Sequence, residues 1–122
     1  MIKALVVEDT PLNMELVLEI LTSLGMDVDI ANDGEEAVRK TEKEIYDIIF
    51  MDIALPGIDG AQATGIIKNR PGYKNVPVIA LTAFAMKGDK EKFIAGGFDD
   101  YIAKPIDVTN FIKKVEILIG EK

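Results

Sequence analysis

Ile48-Ile49-Phe50-Met51-Asp52-Ile53-Ala54-Leu55-Pro56 decides the fold: it is an apolar run of strand length that ends on a carboxylate. Four consecutive apolar residues suit a strand covered on both faces, as in a buried parallel sheet. Asp52 stands where the series stops, and the apolar residues after it do not resemble a capped helix start, which weakens a plain turn-forming role. Other runs end in the same way. Lys3-Ala4-Leu5-Val6-Val7 ends on Glu8-Asp9, Val78-Ile79-Ala80-Leu81 on Thr82, and Asp100-Tyr101-Ile102-Ala103 on Lys104-Pro105. Laid side by side as parallel strands, these runs bring three carboxylates, a hydroxyl and an ammonium to one edge of one sheet. Open α/β folds bind their ligands at such an edge.

Five apolar runs, near residues 2–7, 26–30, 47–51, 77–81 and 99–102, alternate with five stretches of helical spacing or helical punctuation. Pro11 suits the first helical position after Thr10, and Val17, Ile20, Leu21 and Leu24 recur at helical intervals before Gly25. Asp33 is placed to cap a second helix. A third is expected from about Ala61 to Asn69, with Gly65 inside it at about 1 kcal/mol relative to alanine. A fourth is expected from Gly88 to Ala95, and a fifth after Asp107 through Val108, Phe111, Ile112, Val115 and Leu118. The second run, Met26-Asp27-Val28-Asp29-Ile30, alternates apolar and charged residues, which suits an edge strand. The pattern therefore predicts an α/β chain with a five-stranded parallel sheet of order 2-1-3-4-5, a flavodoxin-like (βα)5 three-layer sandwich. Asp9 and Asp52 then end adjacent strands beside the switch point.

The 122 residues make one domain, residues 1–122, long enough to bury a core without staples. With no cysteine and no histidine, disulfides, thiolate or imidazole metal sites, a Ser-His-Asp triad and a phosphohistidine on this chain are all excluded. The net charge of −7 works against phosphate neutralisation, so no direct nucleic-acid contact is expected. The long uncharged stretch from Val76 to Met86 falls well short of a bilayer span, and Glu8-Asp9 interrupt the N-terminus before a signal peptide's apolar centre. A cytoplasmic protein without membrane insertion is the expectation.

Clustered carboxylates repel unless they share a cation or a proton. Oxygen-only donors favour a hard ion, and an open site of two or three carboxylates suits Mg2+, which keeps waters and takes phosphate oxygens. Asp52 is the candidate nucleophile for an aspartyl phosphate, with Lys104 a compact positive charge and Thr82 a hydrogen-bond donor for phosphoryl oxygens. Taken singly, each has a blander reading. Glu8-Asp9 is a common solvated turn, Thr82 an ordinary strand end and Lys104 a surface charge, so specificity comes from the joint pattern. Gly60-Ala61-Gln62-Ala63-Thr64-Gly65 has P-loop glycine spacing, but Ile66-Ile67 replaces the Lys-Ser/Thr that would hold nucleotide phosphates. Asp29 to Lys40 fails as a calcium loop because Ala31 and Lys40 occupy ligand positions.

These residues are similar to those of a known family. Val6-Val7-Glu8-Asp9, Met51-Asp52-Ile53-Ala54-Leu55-Pro56 with Gly60, Leu81-Thr82-Ala83 and Lys104-Pro105 resemble the response-regulator receiver domain of two-component signalling over essentially the whole chain. Thr10-Pro11-Leu12-Asn13 and Thr82 to Asp89 resemble single-domain receivers of the DivK type and the receiver modules of hybrid kinases. The resemblance implies phosphorylation of Asp52 by a histidine kinase or a histidine phosphotransfer protein. It implies Mg2+ held by Glu8, Asp9, Asp52 and the Ala54 carbonyl, phosphoryl binding by Thr82, Ala83 and Lys104, a Thr82/Tyr101 switch pair, and a cis peptide between Lys104 and Pro105. It implies a phosphoacceptor that assists its own phosphorylation and dephosphorylation, not an enzyme acting on a separate substrate. Ala54 and Phe84 stand where many relatives carry polar or longer side chains, so slow self-hydrolysis is expected.

Two partner surfaces are expected. Leu12 and Leu16 fall off the core stripe of the first helix and could receive the kinase or phosphotransfer helix. The face of helix four, strand five and helix five carries Phe84, Met86, Phe93 and Tyr101, with Phe111 a further candidate. With no output module in the sequence, the signal is expected to pass to a downstream protein from a monomer, with a phosphorylation-dependent dimer left open. The main competitor is an aspartate-nucleophile phosphatase on the same fold, which usually carries a second acid two residues after the nucleophile. Ala54 has no proton to give. A flavin-binding reading fails because Glu8-Asp9-Thr10-Pro11 would repel the cofactor phosphate, and a degenerate binding-only receiver sits poorly with the complete residue set.

Overall fold

The computed structural model describes residues 2–53, 55, 57–83 and 89–120. Strands and helices alternate: β1 (Lys3–Val7), α1 (Pro11–Ser23), β2 (Asp27–Ala31), α2 (Gly34–Lys43), β3 (Ile48–Asp52), α3 (Gly60–Lys68), β4 (Val78–Thr82), α4 (Asp89–Ala95), β5 (Asp100–Ala103) and α5 (Val108–Gly120). The strands form a single five-stranded sheet in the order β2-β1-β3-β4-β5, every pair parallel. This is the flavodoxin-like α/β arrangement expected from the run pattern.

The solid apolar runs follow from burial on both faces. Side chains alternate across a strand, so Leu5, Val7, Ile49, Met51, Val78 and Ala80 share one core and Ala4, Val6, Ile48, Phe50, Ile79 and Leu81 the other. Ala37 of α2 and Ala63 and Ile67 of α3 close the first face, while Met14, Val17, Ile20 and Leu21 of α1 and Phe111 and Val115 of α5 close the second. Phe111 is therefore core, not outer face: its ring stacks on Phe50 with centroids 5.4 Å apart. β2 alternates because it is an edge strand, fully buried only at Ala31.

Local signals account for the helix ends. Asp33 accepts the Glu36 N–H at 2.8 Å, with Glu35 and Glu36 in the first turn of α2 and Lys40 and Lys43 in the last, where each sign suits the helix dipole. Pro11 opens α1 as expected, but the Thr10 side chain makes no capping bond. α3 starts at Gly60, one residue earlier than expected, because Asp59 and Gln62 form a capping box with bonds of 2.8 and 3.1 Å. That cap, at about 1 kcal/mol, offsets the penalty of Gly65. A Cβ on Gly60 would lie 2.5 Å from the Asp52 carbonyl oxygen, so glycine lets α3 begin against the end of β3. Gly88, the expected start of the fourth helix, lies outside the described residues.

Candidate functional site

Strand register assembles the site. Val7 pairs with Met51, Asp52 with Leu81, and Thr82 with Ala103, so Glu8, Asp52, Thr82 and Lys104 fall within two residues of one level at the carboxyl edge of the sheet. Glu8, Asp52 and Thr82 are all buried, at 1%, 4% and 1% exposure, whereas Asp9 faces solvent. The Lys104 ammonium lies 3.1 Å from each Glu8 carboxylate oxygen and 3.0 Å from Asp52 Oδ2. Asn13, in the first turn of α1, donates to Glu8 Oε1 at 3.1 Å. The Lys104 N–H donates to the Thr82 carbonyl at 2.7 Å, tying the end of β5 to β4, and the Lys104–Pro105 peptide bond is cis.

One ammonium serves two buried carboxylates, and the imbalance shows in Glu8. Burial, then a hydrogen bond with Asp52, pushes its carboxyl up to about 7, against the downward pull of Asn13 and Lys104. Burial alone would lower the Lys104 ammonium, but its bonds to Asp52 and Glu8 outweigh that and hold it above the ordinary lysine value. With every carboxyl ionised the site carries more negative charge than Lys104 balances, which is why burial favours a proton on Glu8. Carboxylate oxygens of Glu8, Asp9 and Asp52 lie within 4.8 Å of one another, so these hard donors fit a divalent ion such as Mg2+.

The other expected residues divide. Ala83 is exposed beyond β4. Tyr101 is half-buried on β5, opposite Ala80 and two residues short of the level of Thr82, and packs against the first-face core. Leu12 is 78% exposed at the start of α1, and Leu16 is half-buried against the second-face core. Ala54, Phe84 and Met86 lie outside the described residues, as does the side chain of Phe93. Asn13 was missed as a site residue. Its signal was its place five residues after Glu8, on the helix that leaves the same strand end.

The sequence profile of the response regulator receiver domain matches residues 4–116. The chain belongs to the response regulator receiver domain family. Hybrid signal transduction histidine kinase I of Dictyostelium discoideum is 45% identical over 114 residues, 86% of this chain but 6% of that protein. The polar-differentiation response regulator DivK of Brucella anthropi is 38% identical over 117 residues, 96% of this chain and 95% of its own length. Among solved structures, the receiver domain of a Pseudomonas aeruginosa sensor histidine kinase superposes with a TM-score of 0.87 at 41% identity, covering 97% of each chain, and holds a magnesium ion in its active-site cleft. The Saccharomyces cerevisiae Ssk1 receiver domain, solved with the histidine phosphotransfer protein Ypd1, gives 0.85 at 30% identity over 94% of this chain and 86% of that one. No helix among the described residues is long and apolar enough to cross a membrane.

Proposed function

We propose that this receiver takes a phosphoryl group on Asp52 from a phosphohistidine of a histidine kinase or phosphotransfer protein, with Mg2+ held by Glu8, Asp9 and Asp52. The observation that carries the reading is the Asp52 carboxylate 3.0 Å from the Lys104 ammonium inside a three-carboxylate cleft. An Asp52 oxygen attacks phosphorus, the O–P bond forms as the P–N bond breaks, and the electron pair returns to the imidazole nitrogen of the donor. Lys104, already in contact with Asp52, is placed to take the phosphoryl oxygens. The Thr82 hydroxyl ends the neighbouring strand one residue beyond the Asp52 level and supplies a hydrogen bond to the same group. When bound, Mg2+ adds positive charge and acts as a Lewis acid on the phosphoryl oxygens. Glu8 would hold the ion as the carboxylate, so binding would favour its ionised form over the protonated form that burial favours.

Thr82 moving toward the phosphoryl group and Tyr101 following it would carry the signal to the face of α4, β5 and α5, a population shift set by differential contacts in two states. The exposed Leu12 and half-buried Leu16 suit docking of the phosphodonor helix beside the cleft. With alanine at 54 and phenylalanine at 84 there is no polar side chain at those positions to orient water, so the phosphoryl group hydrolyses slowly. The chain acts as a cytoplasmic relay or as a signal read by a downstream protein. Incubation with Mg2+ and a small phosphodonor should add one phosphoryl mass to the native chain and none to Asp52→Asn. A mass increase that survives the substitution would overturn the assignment.

A further inference from the structure

Lys114, on α5, reaches the open edge of β5 and makes three contacts there. Its ammonium donates to the Tyr101 carbonyl at 2.8 Å, lies 3.4 Å from Asp100 Oδ1, and sits 5.0 Å from the centroid of the Tyr101 ring. Asp100 Oδ1 also accepts the Tyr101 N–H at 2.8 Å. One Asp–Lys pair therefore fixes both backbone polar groups of Tyr101 and stands over its ring. That distance is within the range at which a cation is attracted to an aromatic face. A groove of about 470 Å3 between β5 and α5 is lined in part by Tyr101, Phe111, Lys114 and Leu118, so the edge on which the Lys114 contact sits is open to solvent.

We propose that Lys114 is a positioning residue for Tyr101, a clasp that holds the ring at the outer edge of β5 and opposes its travel toward Thr82. This rests on Thr82 and Tyr101 being the switch pair. Thr82 lies on the inner neighbour, β4, and Tyr101 is paired opposite Ala80 of that strand. The ammonium is anchored at the outer edge by Asp100 and by the Tyr101 carbonyl. A ring drawn inward leaves the ammonium behind, so the contact belongs to one position of the ring and not the other. Only such a differential contact shifts an equilibrium. The clasp therefore sets how much of the phosphoryl group's binding is spent moving Tyr101.

The test is a titration of the intact protein with beryllofluoride and Mg2+, a phosphoryl mimic, read by NMR of isotope-labelled tyrosine rings. Lys114→Met should lower the half-saturating beryllofluoride concentration about two- to fivefold, as expected for loss of an exposed cation–ring contact. Lys114→Arg keeps a cation over the ring and should restore the native value. Lys40→Met, a lysine on the opposite sheet edge, should also titrate as native. A Lys114→Met protein that titrates as native, or more weakly, overturns the proposal while leaving the switch reading intact. A native Tyr101 ring signal that ignores beryllofluoride removes the switch reading and the clasp together.

Discussion

The two open edges of the sheet are finished with the same device and backed by different chemistry. On β2, Asp29 Oδ1 accepts the Ile30 N–H at 3.0 Å while Lys40 donates to the Ile30 carbonyl at 2.6 Å and to Asp29 Oδ1 at 3.0 Å. On β5, Asp100 and Lys114 treat Tyr101 in the same way. An edge strand exposes unpaired N–H and C=O groups that invite another strand, and each pair occupies one residue's worth of them. Behind Asp29 stands the hydroxyl of Tyr46, 2.7 Å from Oδ2 and on a side chain that is 1% exposed. Behind Lys114 stands the half-buried ring of Tyr101, on the strand whose end carries Lys104. The β2 edge, which carries none of the four converging site residues, is backed by a buried hydroxyl. The β5 edge, which leads into Lys104, is covered by a contact to the ring that the proposed switch would move.

The largest effect expected from this contrast is on stability. Tyr46→Ala empties a fully buried position and should cost about 3–5 kcal/mol in urea unfolding, whereas Tyr101→Ala, truncating a half-buried ring, should cost about 1–2 kcal/mol. Equal losses would mean that the β5 edge is locked as firmly as the β2 edge, and the comparison would fail.

Next in size is the response to pH, where acids at the two places act with opposite sign. The Glu8 carboxyl, raised by burial to about 7 from 4.5, binds more protons folded than unfolded. Metal-free stability should therefore fall by about 1–3 kcal/mol as pH rises from about 4.5 through 7. Mg2+ should raise the thermal midpoint more at pH 8 than at pH 5, because binding no longer has to expel that proton. Burial works to raise Asp29, but its hydrogen bonds from Tyr46, Lys40 and the Ile30 N–H prevail and leave it below the ordinary value. Its contribution is present above about pH 4 and lost as pH falls through the lowered value. Tyr46→Phe should accordingly cost about 1–2 kcal/mol at neutral pH and flatten the acid limb while leaving the Glu8 slope unchanged. A Glu8→Gln protein that keeps the neutral-range slope would break the assignment.

What was legible in the chain, and what was not, follows the range of the interactions. Glu8, Asp52, Thr82 and Lys104 could be found because each interrupts a run whose pattern is set by burial, and the alternation in β2 marked it as an edge. Sheet order followed from handedness and that one edge. Asp33 is readable as a cap, and the Asp59-to-Gln62 box is equally visible in the residues. Thr10 had a capping residue's identity without its bond. The Asp29–Lys40–Tyr46 group and the Asp100–Lys114 pair were not legible, because a side chain reaching a strand edge 11 to 17 positions away leaves no periodic mark. The same holds for Glu35, which accepts the Ile58 N–H at 3.0 Å and closes on Gly57, whose φ of 75° suits glycine, in the loop after β3.

The smallest effect is the most discriminating between the edges. Lys40 and Lys114 are both partly exposed, and neither Lys40→Met nor Lys114→Met should cost more than about 1 kcal/mol, since exposed ion pairs rarely contribute more. Their amide exchange should differ nonetheless. The Ile30 N–H donates to a carboxylate that Tyr46 still holds when Lys40 is lost, so its exchange should stay close to native. The Tyr101 N–H donates to Asp100, whose bond to Lys114 disappears in the other variant, and its exchange should quicken several-fold through local opening. Equal acceleration at Ile30 and Tyr101 would show that the buried tyrosine adds no rigidity to its edge. The β5 clasp would then be ordinary edge cover, with no special relation to the site it borders.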